Sequence, residues 1–283
     1  MEDTNEEWTL IVKPKANWFD LHLRDLWHYR DLVMLFVKRD FVSAYKQTIL
    51  GPLWYIIQPI LTAIIYSVIF GTIANIATPL PKFLFYMSSI TMWNYFSESL
   101  NKTSNTFISN AQIFGKVYFP RLTVPLSIII SNLITFGIQL LVFVVVLIYY
   151  HFAKDPSIAP NNHLILLPVL IIIMGGIGLG TGIIISSLTT KYRDLRFLIT
   201  FGVQLLMFAT PVIYPLSSLE GLKRTIILAN PLTSVIETFR YGFTGVGGCS
   251  WHYLAYSFVF MVVVLLSGVF LFNKVEKSFM DTV

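Results

Sequence analysis

Cysteine is nearly missing from this 283-residue sequence. Cys249 stands alone, so no disulfide can close within the chain and a cysteine-based metal site within it has no support. Charge is scarce too, at 12% of residues, against about 25% in soluble domains, and a soluble fold is excluded. No Gly-rich phosphate loop ending in Lys and Ser or Thr occurs, so nucleotide hydrolysis is not expected from this chain. The five His show no HExxH or similar ligand spacing: His22 and His28 fall in the polar N-terminal region, and His151, His163 and His252 at expected helix ends. No catalytic or metal-binding residue is assigned. The opening MEDTNEEW has no basic n-region, so a cleaved signal peptide is not expected.

What is present is apolar. Hydrophobic residues make up 55% of the chain, and the mean hydropathy is +0.69. A hydrocarbon core about 30 Å thick takes about 20 such residues per helix, and the pattern predicts spans at 52–74, 83–99, 122–150, 164–189, 197–215 and 251–272. The expected fold is an all-α membrane protein with six transmembrane helices. It divides into a cytoplasmic segment 1–50, a transmembrane domain 51–273 and a cytoplasmic tail 274–283.

Two regions depart from plain spans. Residues 19–45 carry Leu23, Leu26 and Trp27 on one face among charges, which predicts an amphipathic helix lying in the membrane interface. Residues 215–250 are too apolar for a surface loop. They predict two short re-entrant helices on the outer side, about 216–247, split at Asn230-Pro231, with a cavity beside them.

The net charge of +5 reads as topology, and no nucleic-acid partner is expected. Of the twenty Lys and Arg, fifteen share the side of the N-terminus, while Lys82, Lys154, Lys223, Arg224 and Arg240 lie opposite. The positive-inside tendency then puts both termini in the cytoplasm. In the run GGIGLGTG at 175–182, Gly176 and Gly180, like Gly178 and Gly182, stand four apart. Close helix packing is the favoured reading, with a phosphate cradle and a hinge as the alternatives. Ionisable groups deep in the spans are nearly absent: Glu98 lies near the cytoplasmic end of span two, and Glu237 can pair with Arg240 one turn on. A proton-coupled transporter would place such groups at mid-membrane, so the energy source is expected to be external.

Aromatics are abundant, with 23 Phe, 14 Tyr and 6 Trp. Many cluster at span ends, as an interfacial belt does. Span two also mixes them with Ser88, Ser89, Thr91 and Asn94, groups costly against lipid but suited to a pore passing sugar rings.

Six ordered segments carry a family resemblance: RDFVSAYKQTILGPLWYIIQPILTAIIYSVIFGTIA at 39–74, NAQIFGKVYFPRLTVPLS at 110–127, KYRDLRFLI at 191–199, TPVIYP at 210–215, NPLTSVIETFRYGFTG at 230–245 and VEKSFMDTV at 275–283. From Asp20 onward the chain closely resembles the permease subunits of bacterial type-2 ABC exporters for O-antigen, capsule and teichoic acid. The resemblance implies a homodimer in the bacterial inner membrane, among membrane lipids, joined to two copies of a separate ABC ATPase subunit and passing a lipid-linked polysaccharide. ATP and magnesium would sit in that partner, with no cofactor in this chain. It also implies a cytoplasmic gate or interface helix with Trp27, Arg30, Arg39 and Tyr45, and an ATPase-coupling region with Asn110, Lys116, Tyr118, Phe119, Arg121, Lys191, Arg193 and Asp194. The candidates for a glycan channel are Trp54, Tyr55, Tyr66, Phe85, Tyr86, Ser89, Trp93, Asn94, Phe208 and Tyr214. Competing readings are a type-2 permease for a drug, peptide or lipid, an intramembrane glycan-processing enzyme, which should bring acids or His together, and a secondary flippase, which the near-absence of mid-membrane charge disfavours.

Overall fold

Pro52 opens the first long apolar helix from the position where a missing N–H costs nothing. The computed structural model describes residues 23–43, 46, 48–114, 116, 117, 119–189, 192 and 194–279. Tyr45, Tyr118, Lys191 and Arg193 lie outside the described residues. Among those described, regular structure is helical throughout, with no strand.

Two helices precede the bundle, α1 (Leu23–His28) and α2 (Arg30–Ser43). Then come α3 (Trp54–Tyr66), extended by π-type turns over Ser67–Ile73, and α4 (Lys82–Ser104). Two single-turn pieces follow, α5 (Thr106–Ser109) and α6 (Ala111–Phe114). The long α7 (Thr123–Ala153), α8 (Leu167–Thr189) and α9 (Leu195–Phe208) come next. The chain ends with α10 (Gly221–Ala229), α11 (Pro231–Thr244) and α12 (Trp251–Phe279).

Four stretches are long and apolar enough to cross a membrane: Gly51–Ile73, Thr123–Ala153, Asn162–Thr189 and Trp251–Val275. The other two expected spans coincide with helices of a different character. α4 has 23 residues but carries Lys82, Glu98 and Lys102, and it is buried along most of its length between α8, α7 and α3. α9 has 14 residues, about 21 Å at the helical rise. Span five, expected to reach residue 215, ends as a helix at Phe208. Pro211 has no N–H to continue the ladder and disfavours the α conformation in the residue before it, and turns fill 209–214.

The glycine run is a packing device. A Cβ on Gly178 or Gly182 would meet α4 at Ser99 (2.9 Å) or Thr103 (2.6 Å), and one on Gly180 would meet the α12 backbone at Leu265 (2.9 Å). Gly178 and Gly182 therefore admit α4 while Gly176 and Gly180 admit α12, so α8 is pressed from two sides.

One expectation needs correction: the single helix expected at 19–45 is interrupted at Tyr29. Trp27 is 72% exposed, and the side chains of α2 packed against α7 are Val33, Phe36 and Val37. Of the paired short helices, α11 packs on α4, on α12 and on the 3-10 turn Asn162–Leu166. An open depression lies at the start of α10, lined by Ser218, Leu219, Glu220, Leu222 and Lys223.

Candidate functional site

Asn230 and Pro231 make the corner between α10 and α11. The Asn230 carboxamide accepts from the Leu232 N–H (3.0 Å), capping α11, while its Nδ2 donates to Ala209 O and Thr210 Oγ1 (both 2.9 Å). Gly245, at φ 71°, ends α11 in the left-handed conformation that favours glycine. One side of α11 is held to α12 by Ser257 Oγ donating to Pro231 O (2.6 Å), and another to the 154–162 loop by Asn161 Nδ2 donating to Tyr241 O (3.0 Å).

Arg240 lies at the centre of this end of the molecule, 2% exposed. Nη1 donates to Glu237 Oε1 (2.7 Å), and Nη2 to Ser89 Oγ of α4 (2.5 Å) and to Pro211 O (2.8 Å). The guanidinium carbon stands 4.0 Å from the Phe85 ring centroid. A planar fork with several donors is the one side chain suited to serving three acceptors in separate elements. Arginine stays charged even when buried.

The channel candidates separate by burial. Phe85, Tyr86, Ser89 and Trp93 have no more than a trace of surface in the single chain. Phe85 and Ser89 belong to the Arg240 node, and the buried Tyr86 hydroxyl has no hydrogen-bond partner. Asn94 is half-buried and donates to Gln139 Oε1 on α7 (3.4 Å). Tyr66 links three helices: its ring meets Tyr86 edge-on (centroids 6.2 Å) and its hydroxyl reaches Met207 Sδ on α9 (3.6 Å). Tyr55 stacks on Phe41 (6.4 Å), Tyr214 donates to Phe208 O (2.9 Å), and Trp54 and Phe208 are exposed.

At the opposite end a second apolar cluster gathers Phe36 of α2, Phe107, Phe114 and Phe119 of the 105–122 segment, and Phe272 of α12. Phe119 packs on Phe36 and Phe114 (5.7 and 5.8 Å), and the Arg121 guanidinium, itself buried, stands 5.6 Å from the Phe114 ring centroid. Asn110 is buried, with Nδ2 donating to Thr106 O (3.0 Å). Lys116 and Val117 project at the exposed tip, and Asp194 is exposed ahead of α9. Arg30 and Arg39 lie over the rings of Trp27 and Phe36 (5.7 and 4.7 Å). Phe119 and Arg121 are thus joined to α2 through Phe36, while Lys116 stands apart. Among the described residues no group of three His, Cys, Asp or Glu could hold a metal ion.

The family described as ABC-2 type transporter matches residues 31–244, from α2 through the end of α11. The chain belongs to the ABC-2 type transporter family. Named relatives are similar over most of their length. An O-antigen export system permease protein of Klebsiella pneumoniae is 30% identical over 253 residues, 89% of this chain and 94% of its own. A protein of the same name in Myxococcus xanthus is 28% identical over 77% of this chain and 82% of its own. A polysialic acid transport protein of Escherichia coli is 23% identical over 86% and 93%.

As an ABC-2 transporter the chain is a membrane subunit of a transporter rather than an enzyme. The position that sequence reasoning missed in this ABC-2 chain is Arg240. It counted among the outer-loop cations, although its i,i+3 pairing with Glu237 was legible. The signal that could have found it is a lone Arg–Glu pair inside the apolar run 231–245, where only burial with a partner makes two charges tolerable.

Proposed function

We propose that this chain is the channel-forming subunit of an ATP-driven exporter that moves a lipid-linked polysaccharide out of the cytoplasm across the bacterial inner membrane. One observation carries the reading: permeases named for O-antigen export are similar to it over nearly the whole chain. Two copies form the channel and two copies of a separate ABC ATPase drive it, and ATP and magnesium belong to those partners. Both termini are cytoplasmic. α3, α4, α7, α8, α9 and α12 make the six spans, with α4 and α9 shielded from lipid by neighbouring helices or by the second copy. α10 and α11 are the re-entrant pair on the outer side. The 105–122 segment, with Lys116 at its tip, and the region of Lys191, Arg193 and Asp194 receive the ATPase stroke, and α2 serves as the gate. Of the channel candidates, those with surface (Trp54, Tyr55, Tyr66, Asn94, Phe208 and Tyr214) line the path, while Phe85, Tyr86, Ser89 and Trp93 shape its wall from behind. ATP binding acts by favouring one arrangement of these contacts over another.

Deleting the gene tests the reading. Lipid-linked glycan accumulates on the cytoplasmic face and disappears from the cell surface, and both effects reverse when the chain is returned. Unchanged surface glycan together with altered sensitivity to a drug or a lipid analogue would assign it to another substrate class.

A further inference from the structure

α4 and α7 meet along a polar seam of which the mechanism above uses only Asn94. Asn94, Glu98 and Lys102 recur at four-residue spacing on α4, and Asn132, Thr135 and Gln139 share a face of α7. Lys102 Nζ ties the seam together, 3.0 Å from Glu98 Oε2 and donating to Asn132 Oδ1 at 3.0 Å. The amide contacts are long: Asn94 Nδ2 to Gln139 Oε1 and Asn132 Nδ2 to Ser99 Oγ are both 3.4 Å. Each Asn or Gln offers two donors and two acceptor lone pairs, so Asn94 and Gln139 keep capacity beyond their shared bond.

A cleft opens between them. Asn94 and Glu98 stand on one wall, Thr135 and Gln139 on the other, and the packed rings of Tyr95 and Phe136 (centroids 5.2 Å) lie at its deep side. It is narrow, with room for about one water, so a large ligand meets its rim. That rim is open: the Glu98 and Lys102 side chains are 51% and 48% exposed. Asn94 lies about 18 Å and Lys102 about 30 Å along α4 from Lys82, placing the seam in the half of the helix that runs into the 105–122 segment. Ionisable and amide groups at such depth face water or protein, not hydrocarbon.

The charge balance selects the ligand. Glu98 and Lys102 cancel, so the rim has no surplus cation for a phosphate and no surplus anion for an amine. What remains at the rim is amide and hydroxyl donors and acceptors without net charge, from Asn94 and Thr135 beside the Glu98–Lys102 pair, the chemistry that meets sugar hydroxyls. We infer that the α4/α7 seam is a contact subsite for the neutral sugar units of the passing glycan. The inference rests on the polysaccharide-export reading and adds α7 to the path.

The test uses the complete transporter in native membranes. Asn94→Cys, Glu98→Cys and Thr135→Cys are placed singly in a Cys249→Ser background and treated with a charged, membrane-impermeant thiosulfonate. The expected result is labelling several-fold faster than at Val145→Cys, an exposed apolar position of α7. A several-fold slowing is expected when vesicles hold glycan stalled by withheld ATP, compared with vesicles from cells unable to make the glycan. A second readout needs no substitution: carbodiimide-driven amine coupling at Glu98, followed by mass spectrometry, slows in the same glycan-loaded membranes. No labelling means that lipid or a second copy covers the seam, and labelling equally fast with and without glycan means a water-filled seam that sugars do not touch. Either result overturns the subsite while leaving export intact; surface glycan persisting in the deletion strain would instead sink the export reading itself.

Discussion

Arg240 is charged, buried and bound to three acceptors in three segments. Removing it leaves the Glu237 carboxylate, 12% exposed, without its cation, and breaking a buried pair on one side costs about 3–5 kcal/mol. Arg240→Leu is expected to lower the melting temperature of the purified protein sharply and to abolish export. Arg240→Lys keeps the charge but cannot span Glu237, Ser89 and Pro211 together; it should fold, with reduced export. Ser89→Ala removes one acceptor and should be milder than either, and a thermal-melt series ranks the three. If Arg240→Lys matches the wild type in stability and export, the fork is dispensable. The ion pair could be read from its spacing of three, whereas the Ser89 contact could not, because 151 residues separate the partners and no periodicity links them. The same blindness applies to Phe85 and Tyr86: an aromatic and hydroxyl-rich stripe marks a face that avoids lipid, but not whether a pore or another helix covers it.

At the scale of elements, length and hydropathy located the helices well because each long apolar run needs its own helix. The end of α9 and the break at Tyr29 were lost because local backbone chemistry decides them. The small-residue spacing of α8 was legible for a physical reason: nothing else lets backbones approach as closely as at Gly180. Gly180→Ala should cost about 1–3 kcal/mol through overpacking against α12. Gly137→Ala, in α7 with nothing within 4 Å of the added Cβ, should be neutral or slightly stabilising. Melting temperatures in one detergent compare them, and equal values would remove the packing role. The 105–122 segment divides in the same way. Phe119→Ala opens a buried aromatic cluster, at a cost of about 3–5 kcal/mol, and should lower protein yield. Lys116→Ala, at an exposed tip, should leave yield unchanged and weaken stimulation of the partner ATPase. Normal stimulation after Lys116→Ala would move the docking point elsewhere.

For the whole molecule the question is where the energy comes from. The buried Arg240 is matched by Glu237 at 2.7 Å, and the half-exposed Glu98 by Lys102 at 3.0 Å. A proton-driven carrier needs a group that exchanges its proton between two exposures, and each of these two carboxylates is engaged by a cation of its own helix. The large apolar side chains exposed on α3 and α9, such as Ile65, Val68, Phe197 and Phe201, suit lipid or a second copy rather than a proton path. Transport by the chain reconstituted together with its ATPase should therefore stop when ATP is withheld and continue when an ionophore collapses the proton gradient. The chain reconstituted alone, with ATP present, should move nothing. The measurement is the appearance of lipid-linked glycan in the vesicle lumen, where a soluble glycosidase trapped inside can cut it. Release of cut sugar from vesicles without ATPase, or its loss on adding the ionophore, would overturn the ATP-driven reading.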